Sequence, residues 1–313
     1  VGEKLKELRA QFNFSKNKEH SGILSPSQKQ INDLLEYYNT QEYSKTETLA
    51  LFLTQKFPKH QFAWKVLGAL FAQTDRNIEA TKANQTAVTL SPNDAEAHNN
   101  FGVSLRKLGK LHDAAISYRQ AITLKPRLVE AHCNLGVALQ ELGRLEEAES
   151  SYRQAIALKP DYAEAYSNLG NTQKELRKLK EAKESYKQAL ALNPELAEAH
   201  YNFGITLQAL GRLDEAVSSY KRAILFKPNY AEAHTNLGSI LKKLRKFEEA
   251  LSSYKQAIAL KPDLSEAHYN LGNTLQELGR FEEAELSYRQ AIVLKPDYAE
   301  AYSNLGVTLK KIK

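Results

Sequence analysis

The 313-residue sequence holds one cysteine, one tryptophan and no methionine, and it is sparing with helix breakers, having 14 glycines and 9 prolines. A lone cysteine, Cys133, excludes an intrachain disulfide and is compatible with a reducing compartment, so a cytoplasmic protein is expected. So few Gly and Pro exclude collagen-like and Pro/Gly-rich disordered chains. No apolar run approaches the ~18 residues of a membrane span. Val1-Gly2-Glu3-Lys4-Leu5-Lys6 lacks the apolar core of a signal peptide. A chain that opens on Val and has no methionine reads as one that has lost its start. Charge of one sign is missing too: 43 basic against 37 acidic side chains leave +6. The charges interleave, as in Lys178, Lys180, Glu181, Lys183 and Glu184. That is a solvated helical surface rather than the clustered patch a nucleic acid requires.

What the sequence does have is repetition. A shift of 34 residues superimposes Ala163–Leu196 on Ala197–Tyr230, Ala231–Leu264 and Ser265–Tyr298, and backwards on Val129–Tyr162, Ala95–Leu128 and, less well, Gln61–Asp94. An eighth unit starts at Ala299 and stops at Lys313. Such a period marks a solenoid, in which each unit buries its apolar face against its neighbours. Within a unit, Ala163, Tyr166, Leu169, Gly170 and Leu176 and then Leu179, Ala182, Tyr186, Ala189 and Leu190 keep the spacing of two amphipathic helices. Gly109, Gly143, Gly211 and Gly279 end the first helix in a left-handed turn, and Pro92, Pro126, Pro160, Pro194, Pro228, Pro262 and Pro296 end the second. Glycine also recurs inside the first helix, at 102, 136, 170, 204, 238, 272 and 306, at ~1 kcal/mol each relative to alanine. This predicts close approach of the second helix, with its recurring alanine (Ala148, Ala182) and tyrosine (Tyr152, Tyr186). Asp161 to Glu164, Asp263 to Glu266 and Asp297 to Glu300 have the spacing of capping boxes.

Ahead of the array, Ser25–His60 is expected to form a degenerate capping hairpin, with Ser25 as cap, Pro26 in the first turn and Gln28 reaching back. Residues 1–24 are expected to be an extension, with a short helix expected at Lys4–Phe12. At the other end Leu305, Leu309 and Ile312 are expected to leave apolar surface uncovered, through a cut chain or a self-associating one. The expected organisation is thus 1–24, a hairpin over 25–60, seven units over 61–298 and a truncated unit over 299–313.

Small Gly and Ala, an aromatic on the second helix and a closing Pro on a 34-residue period resemble the tetratricopeptide repeat (TPR) family over roughly Gln61 to Lys313. The resemblance implies an all-α, right-handed superhelical solenoid of antiparallel helix pairs, with the first helices lining a concave groove. It implies a non-catalytic scaffold that binds a protein or peptide there, with no nucleic acid or membrane as partner.

Candidate chemistry is sparse. His98, His132, His200, His234 and His268 share one position with Trp64, Tyr166 and Tyr302, which points to packing. Zinc ligands sit ~2 Å from one ion, whereas neighbouring helices lie ~8–10 Å apart, so neither metal nor cofactor is expected. No phosphate-loop, paired-Cys or His-Glu-x-x-His pattern occurs. No activated thiolate is expected at Cys133, and the sequons at Asn13 and Asn84 read as chance.

One feature resists a bland reading. Asn100, Asn134, Asn168, Asn202, Asn236, Asn270 and Asn304 recur on the first helix, where asparagine is a mediocre choice. A carboxamide matches both groups of a peptide unit, so the ladder either holds an extended ligand backbone or stiffens the stack by bonding the next helix. It resembles the TPR arm of O-linked N-acetylglucosamine transferases, whose concave asparagines engage substrate backbone. The carboxylate clamp of chaperone adaptors fits less well, because Asn99, Cys133, Ser167, Tyr201, Thr235, Tyr269 and Ser303 precede the ladder and none is basic. The groove wall adds Asn171 and Asn273, then Arg106, Gln140, Lys174, Gln208, Lys242, Gln276 and Lys310, with Tyr201 and Tyr269 as anchors. Near-identical units also resemble bacterial TPR proteins fused to glycosyl-, sulfo- or methyltransferase domains, so a recognition arm of a larger transferase is the alternative. Arg177 and Arg245 stand where other units have the turn glycine, and Gln173 where they have leucine, which predicts that Ala163–Leu196 is the least stable full unit.

Overall fold

The structure, a computed structural model, describes residues 25–313, and among them are seventeen α-helices and no strand. The extension 1–24, with the helix expected at Lys4–Phe12 and the sequon at Asn13, lies outside the described residues. The helices are α1 Gln28–Asn39, α2 Tyr43–Lys56, α3 Gln61–Gln73, α4 Asn77–Leu90, α5 Ala95–Lys107, α6 Leu111–Leu124, α7 Val129–Glu141, α8 Leu145–Leu158 and α9 Ala163–Glu175, followed by α10 Leu179–Leu192, α11 Ala197–Ala209, α12 Leu213–Phe226, α13 Ala231–Lys243, α14 Phe247–Leu260, α15 Ser265–Glu277, α16 Phe281–Leu294 and α17 Ala299–Ile312. From α3 onward, odd-numbered helices are first helices and even-numbered ones second helices of a helical repeat solenoid.

The chain divides into two compact units, one ending at Leu108 and one running Gly109–Lys313. The division falls between α5 and α6, inside one 34-residue period. In the first unit, Ile31, Leu34, Leu53, Phe57, Phe62, Val66, Leu67 and Phe71 form one core. α1 is capped by Ser27, not Ser25: Ser27 Oγ accepts from the Gln30 amide while Gln30 Oε1 accepts from the Ser27 amide at 2.9 Å. Ser27 and Gln30 have the same three-residue spacing as Ser25 and Gln28. Placing the cap at Ser27 puts Pro26, buried and without an N–H, ahead of the cap and four residues before Ile31's neighbour Gln30 ends the box.

In the second unit, the recurring small residues have a direct explanation. A Cβ added at Gly136, Gly204 or Gly238 would lie 2.7 Å from the ring of Tyr152, Tyr220 or Tyr254, on the second helix of its own hairpin. Those tyrosines are fully buried, as are Ala148, Ala216 and Ala250 beside them. Gly306 meets nothing within 4 Å. The turn glycines have φ of 72–76°, and Arg177 and Arg245 hold the same left-handed turn at 61° and 60°.

The capping boxes expected at Asp161, Asp263 and Asp297 do not form. α9, α15 and α17 begin after Tyr162, Leu264 and Tyr298, none of which makes a side-chain cap bond. The aspartates stand one residue too early, in the turn that follows each proline. Where the cap position of a first helix is itself aspartate the bond forms: Asp94 Oδ1 accepts from the amides of Glu96 (2.9 Å) and Ala97 (3.0 Å). At the last helix Leu305 is buried and Leu309 packs against the core, so the apolar residues left exposed are Tyr302, Val307 and Ile312. Leu305 and Leu309 share this core with Ala284 and Tyr288 of α16.

Candidate functional site

The face made by successive first helices is organised from beneath by the buried tyrosines. Tyr152, Tyr186, Tyr220, Tyr254 and Tyr288 send their hydroxyls to acceptors on that face. Tyr152 donates to Gln140 Oε1 (3.3 Å) and Tyr220 to Gln208 Oε1 (3.2 Å), and the Tyr288 hydroxyl lies 2.8 Å from both Gln276 Oε1 and Asn273 Oδ1. In α9 and α13 the glutamine position holds Lys174 and Lys242, and an ammonium cannot accept. There the acceptor moves back three residues: Tyr186 donates to Asn171 Oδ1 (2.7 Å) and Tyr254 to Ser239 Oγ (3.3 Å). Burial raises the phenols of Tyr186, Tyr220, Tyr254 and Tyr288, Tyr254 to about 12, so these remain donors at neutral pH.

The asparagine ladder is half-buried, and much of it bonds across helices. Asn236 Nδ2 donates to the Tyr201 hydroxyl at 3.1 Å; Asn304 Nδ2 donates to the Tyr269 hydroxyl at 3.2 Å and to Asn273 Oδ1 at 2.8 Å. Asn202 Oδ1 accepts from Lys174 Nζ at 2.8 Å, and Asn168 bonds Cys133. Asn134 is also engaged. Asn270 makes no side-chain bond to a described residue, its carbonyl accepting from Thr274. Asn100 belongs to the first compact unit, where its carbonyl accepts from Asn84 Nδ2 and Ser104 Oγ. The inter-helix stiffening foreseen for the ladder is therefore present, and it occupies one half of several carboxamides.

Tyr201 and Tyr269 are embedded in matching aromatic sets. Tyr201 packs on Tyr220 (6.0 Å between centroids) and Tyr230 (4.7 Å), and Tyr269 on Tyr288 (6.0 Å) and Tyr298 (4.8 Å). Lys227 and Lys295 lie over Tyr230 and Tyr298. The asparagine ladder and its groove wall give no hint of Tyr230 and Tyr298. The signal that finds them is an alternation at the last position of each unit, Leu128, Tyr162, Leu196, Tyr230, Leu264, Tyr298.

Lys242, Asn273, Gln276, Glu277 and Asn304, from α13, α15 and α17, line one open polar pocket of about 490 Å³. Burial holds Lys174 and Lys242 below the usual lysine range, opposed only in part by Glu175 and Glu277. Neither lysine forms an ion pair with a described carboxylate.

Elsewhere the groups with chemical potential are in structural service. Nε2 of His98, His132, His200 and His268 lies 2.8–3.1 Å from the carbonyl of Pro92, Pro126, Pro194 and Pro262, and Trp64 Nε1 donates to Pro58 in the same way. That shared bond is why an aromatic N–H donor recurs there. No cluster of three His, Cys, Asp or Glu side chains suited to a metal occurs among the described residues. Cys133 is buried, which pushes its thiol pKa up. Asn84 is buried against Ser104 (2.6 Å), out of reach of a glycosylating enzyme. Among the described residues no helix is long and apolar enough to cross a membrane.

Comparison with known proteins agrees with this architecture. TPR repeat models match residues 102–143, 140–176, 207–245, 238–279 and 272–313, and tetratricopeptide repeat models match 163–196 and 185–218. Among solved structures, YrrB, described as a TPR protein with an unusual peptide-binding site, is 26% identical with a TM-score of 0.52, the match covering 60% of this chain and 97% of that one. PilF of Pseudomonas aeruginosa (19% identity, TM-score 0.60, covering 67% and 96%) and a tetratricopeptide repeat protein from Parabacteroides merdae (18%, 0.57, covering 80% and 98%) share the fold. No curated protein matches the chain. The glycine-on-tyrosine hairpin recurs through the second unit, and the repeat models match over most of the chain, so the chain belongs to the tetratricopeptide repeat family.

Proposed function

We propose that this protein-interaction scaffold binds an extended peptide or protein segment along the first-helix face of its second compact unit. The observation that carries the reading is the polar pocket where three successive first helices converge on Lys242, Asn273, Gln276, Glu277 and Asn304. Its donors and acceptors suit a peptide backbone, and the buried tyrosines hold several of them in place, so little order is lost on binding. YrrB, 26% identical, carries a peptide-binding site by its description, and this supports the same use of the fold here.

The test is a defined peptide array probed with the purified chain and two variants. Asn270→Ala with Gln208→Ala alters the first-helix face; Leu286→Ser with Val293→Ser alters the outer face of α16, where both side chains are about 70% exposed. Binding lost with the first pair and kept with the second is the expected outcome. The reverse pattern would place the ligand on the second helices and end this reading.

A further inference from the structure

The second compact unit has a period of two repeats laid over the period of one. Lys174 and Lys242 stand 68 residues apart, with Lys310 a further 68 on, and Gln140, Gln208 and Gln276 occupy the same position in the intervening units. The alternation is chemical as well as numerical. Each glutamine accepts the hydroxyl of a buried tyrosine, and each of Lys174 and Lys242 forces that hydroxyl onto a substitute acceptor, Asn171 or Ser239. A glutamine would serve the fold in every unit. Instead two half-buried ammonium groups stand on this face without ion pairs, at a desolvation cost that lowers both pKa values. Nearby carboxylates leave them unpaired: Glu175 accepts from Gln140 Nε2 at 2.7 Å, and Glu277 lines the Lys242 pocket without pairing with it. Lys174 Nζ donates only to the neutral Asn202 Oδ1 at 2.8 Å; a cation that is desolvated, has no carboxylate partner and is dispensable to the core is placed for an anion from outside.

We propose that the ligand is an extended segment bearing acidic side chains about six residues apart, one facing Lys174 and one facing Lys242. The spacing follows from helix packing. α9 and α11 touch, Asn236 joins α13 to Tyr201 of α11, and packed helices lie ~8–10 Å apart, so two units span roughly 16–20 Å, about five to six residues of extended chain at ~3.3 Å each. The inference rests on the peptide-binding reading and adds to it the charge and register of the ligand. It needs neither a free C-terminal carboxylate nor basic residues beside the asparagine ladder.

The test uses fluorescein-labelled 18-residue synthetic peptides on a Ser/Ala background, read by fluorescence anisotropy with the full chain. One peptide has Glu every sixth residue, a second has Gln at those places, and a third has the same number of Glu at intervals of four. The Glu peptide of six-residue period is expected to bind at least about tenfold more tightly than either control, because charge-assisted contacts are the strong ones. The double variant Lys174→Gln, Lys242→Gln installs the residue native to neighbouring units, so folding is retained, and it is expected to remove the preference. Glu277→Gln is expected to tighten binding of the acidic peptide severalfold. Equal affinity for Glu and Gln peptides, or a preference indifferent to the lysines, would overturn the acidic register while leaving peptide binding intact. Failure of all three peptides to bind, together with an array blank for the unaltered chain, would overturn both.

Discussion

Units 163–196 and 231–264 share an Arg-containing turn, a lysine on the first-helix face and a fully buried tyrosine, yet their interiors are built from opposite materials. In the later unit Leu241 shares one continuous apolar core with Leu251 and with Val217 of the unit before it. In the earlier unit the equivalent of Leu241 is Gln173, and in the unit before it the equivalent of Val217 is Glu149, both buried. Ser185 Oγ donates to Gln173 Oε1 (2.7 Å) and Gln173 Nε2 to Glu149 Oε1 (3.3 Å); Glu149 is paired with Arg153 (2.8 Å) and Lys178 (2.7 Å). The repeat frame thus accepts a polar core when every member of the set has its partner, and a leucine core when none is needed. Polar burial of this kind is seldom a net source of stability, because desolvation offsets the Coulombic gain. It is instead a place where one change removes several bonds.

The largest effect is expected from mixing the two materials. Leu241→Gln buries an amide with no carboxylate to meet it and should destabilise the chain by about 3 kcal/mol in urea melts; a loss under 1 kcal/mol would show that the later unit has acceptors to spare. Acid should then separate the two units. Burial alone would raise the Glu149 pKa, but the hydrogen bonds from Lys178, Arg153 and Gln173 more than reverse that and hold it near 2 against an ordinary 4.5. A carboxylate depressed on folding stabilises fully above its unfolded pKa and loses that contribution as pH falls from about 4.5 towards 2. Screened by its part-exposed cations, the contribution is about 2 kcal/mol. Hydrogen exchange at pH 3 should show α8–α10 opening before α13 and α14, and equal rates would contradict this. Converting the earlier unit to the later pattern, Glu149→Val with Gln173→Leu, should gain about 1–2 kcal/mol and remove the acid sensitivity. At neutral pH exchange of the unaltered chain should be fastest in 163–196, and slowest exchange there would refute that ranking. The smallest change is expected from Arg177→Gly or Arg245→Gly, each relieving a positive φ for about 0.5–1 kcal/mol in thermal melts, alike in both units.

The hairpin frame was legible because its constraints recur. A glycine that would clash with a tyrosine ring, a turn glycine and a proline, each every 34 residues, leave one reading of how the helices pair. Legibility ended where a contact joins residues of two units. Asn236 to Tyr201 and Asn304 to Tyr269 span 35 residues, and the ladder's stiffening role is visible only when both ends are in place. Helix starts were misjudged by one or two residues, at Ser27 and at Tyr162, Leu264 and Tyr298, because an Asp or Ser near a helix start has two or three registers in which it resembles a cap. The histidine ring bonds to proline carbonyls were hidden for a different reason: exchange with Trp and Tyr announces packing, but not which backbone atom is the partner.

The measurement that tests the binding face most directly is photo-crosslinking from the centre of the six-period acidic peptide, with attachment points read by mass spectrometry. Adducts on first-helix residues of α9 to α15, reduced by Lys174→Gln with Lys242→Gln, are the predicted result. Adducts concentrated on the outer second-helix residues around Leu286 and Val293, unchanged by those substitutions, would contradict it.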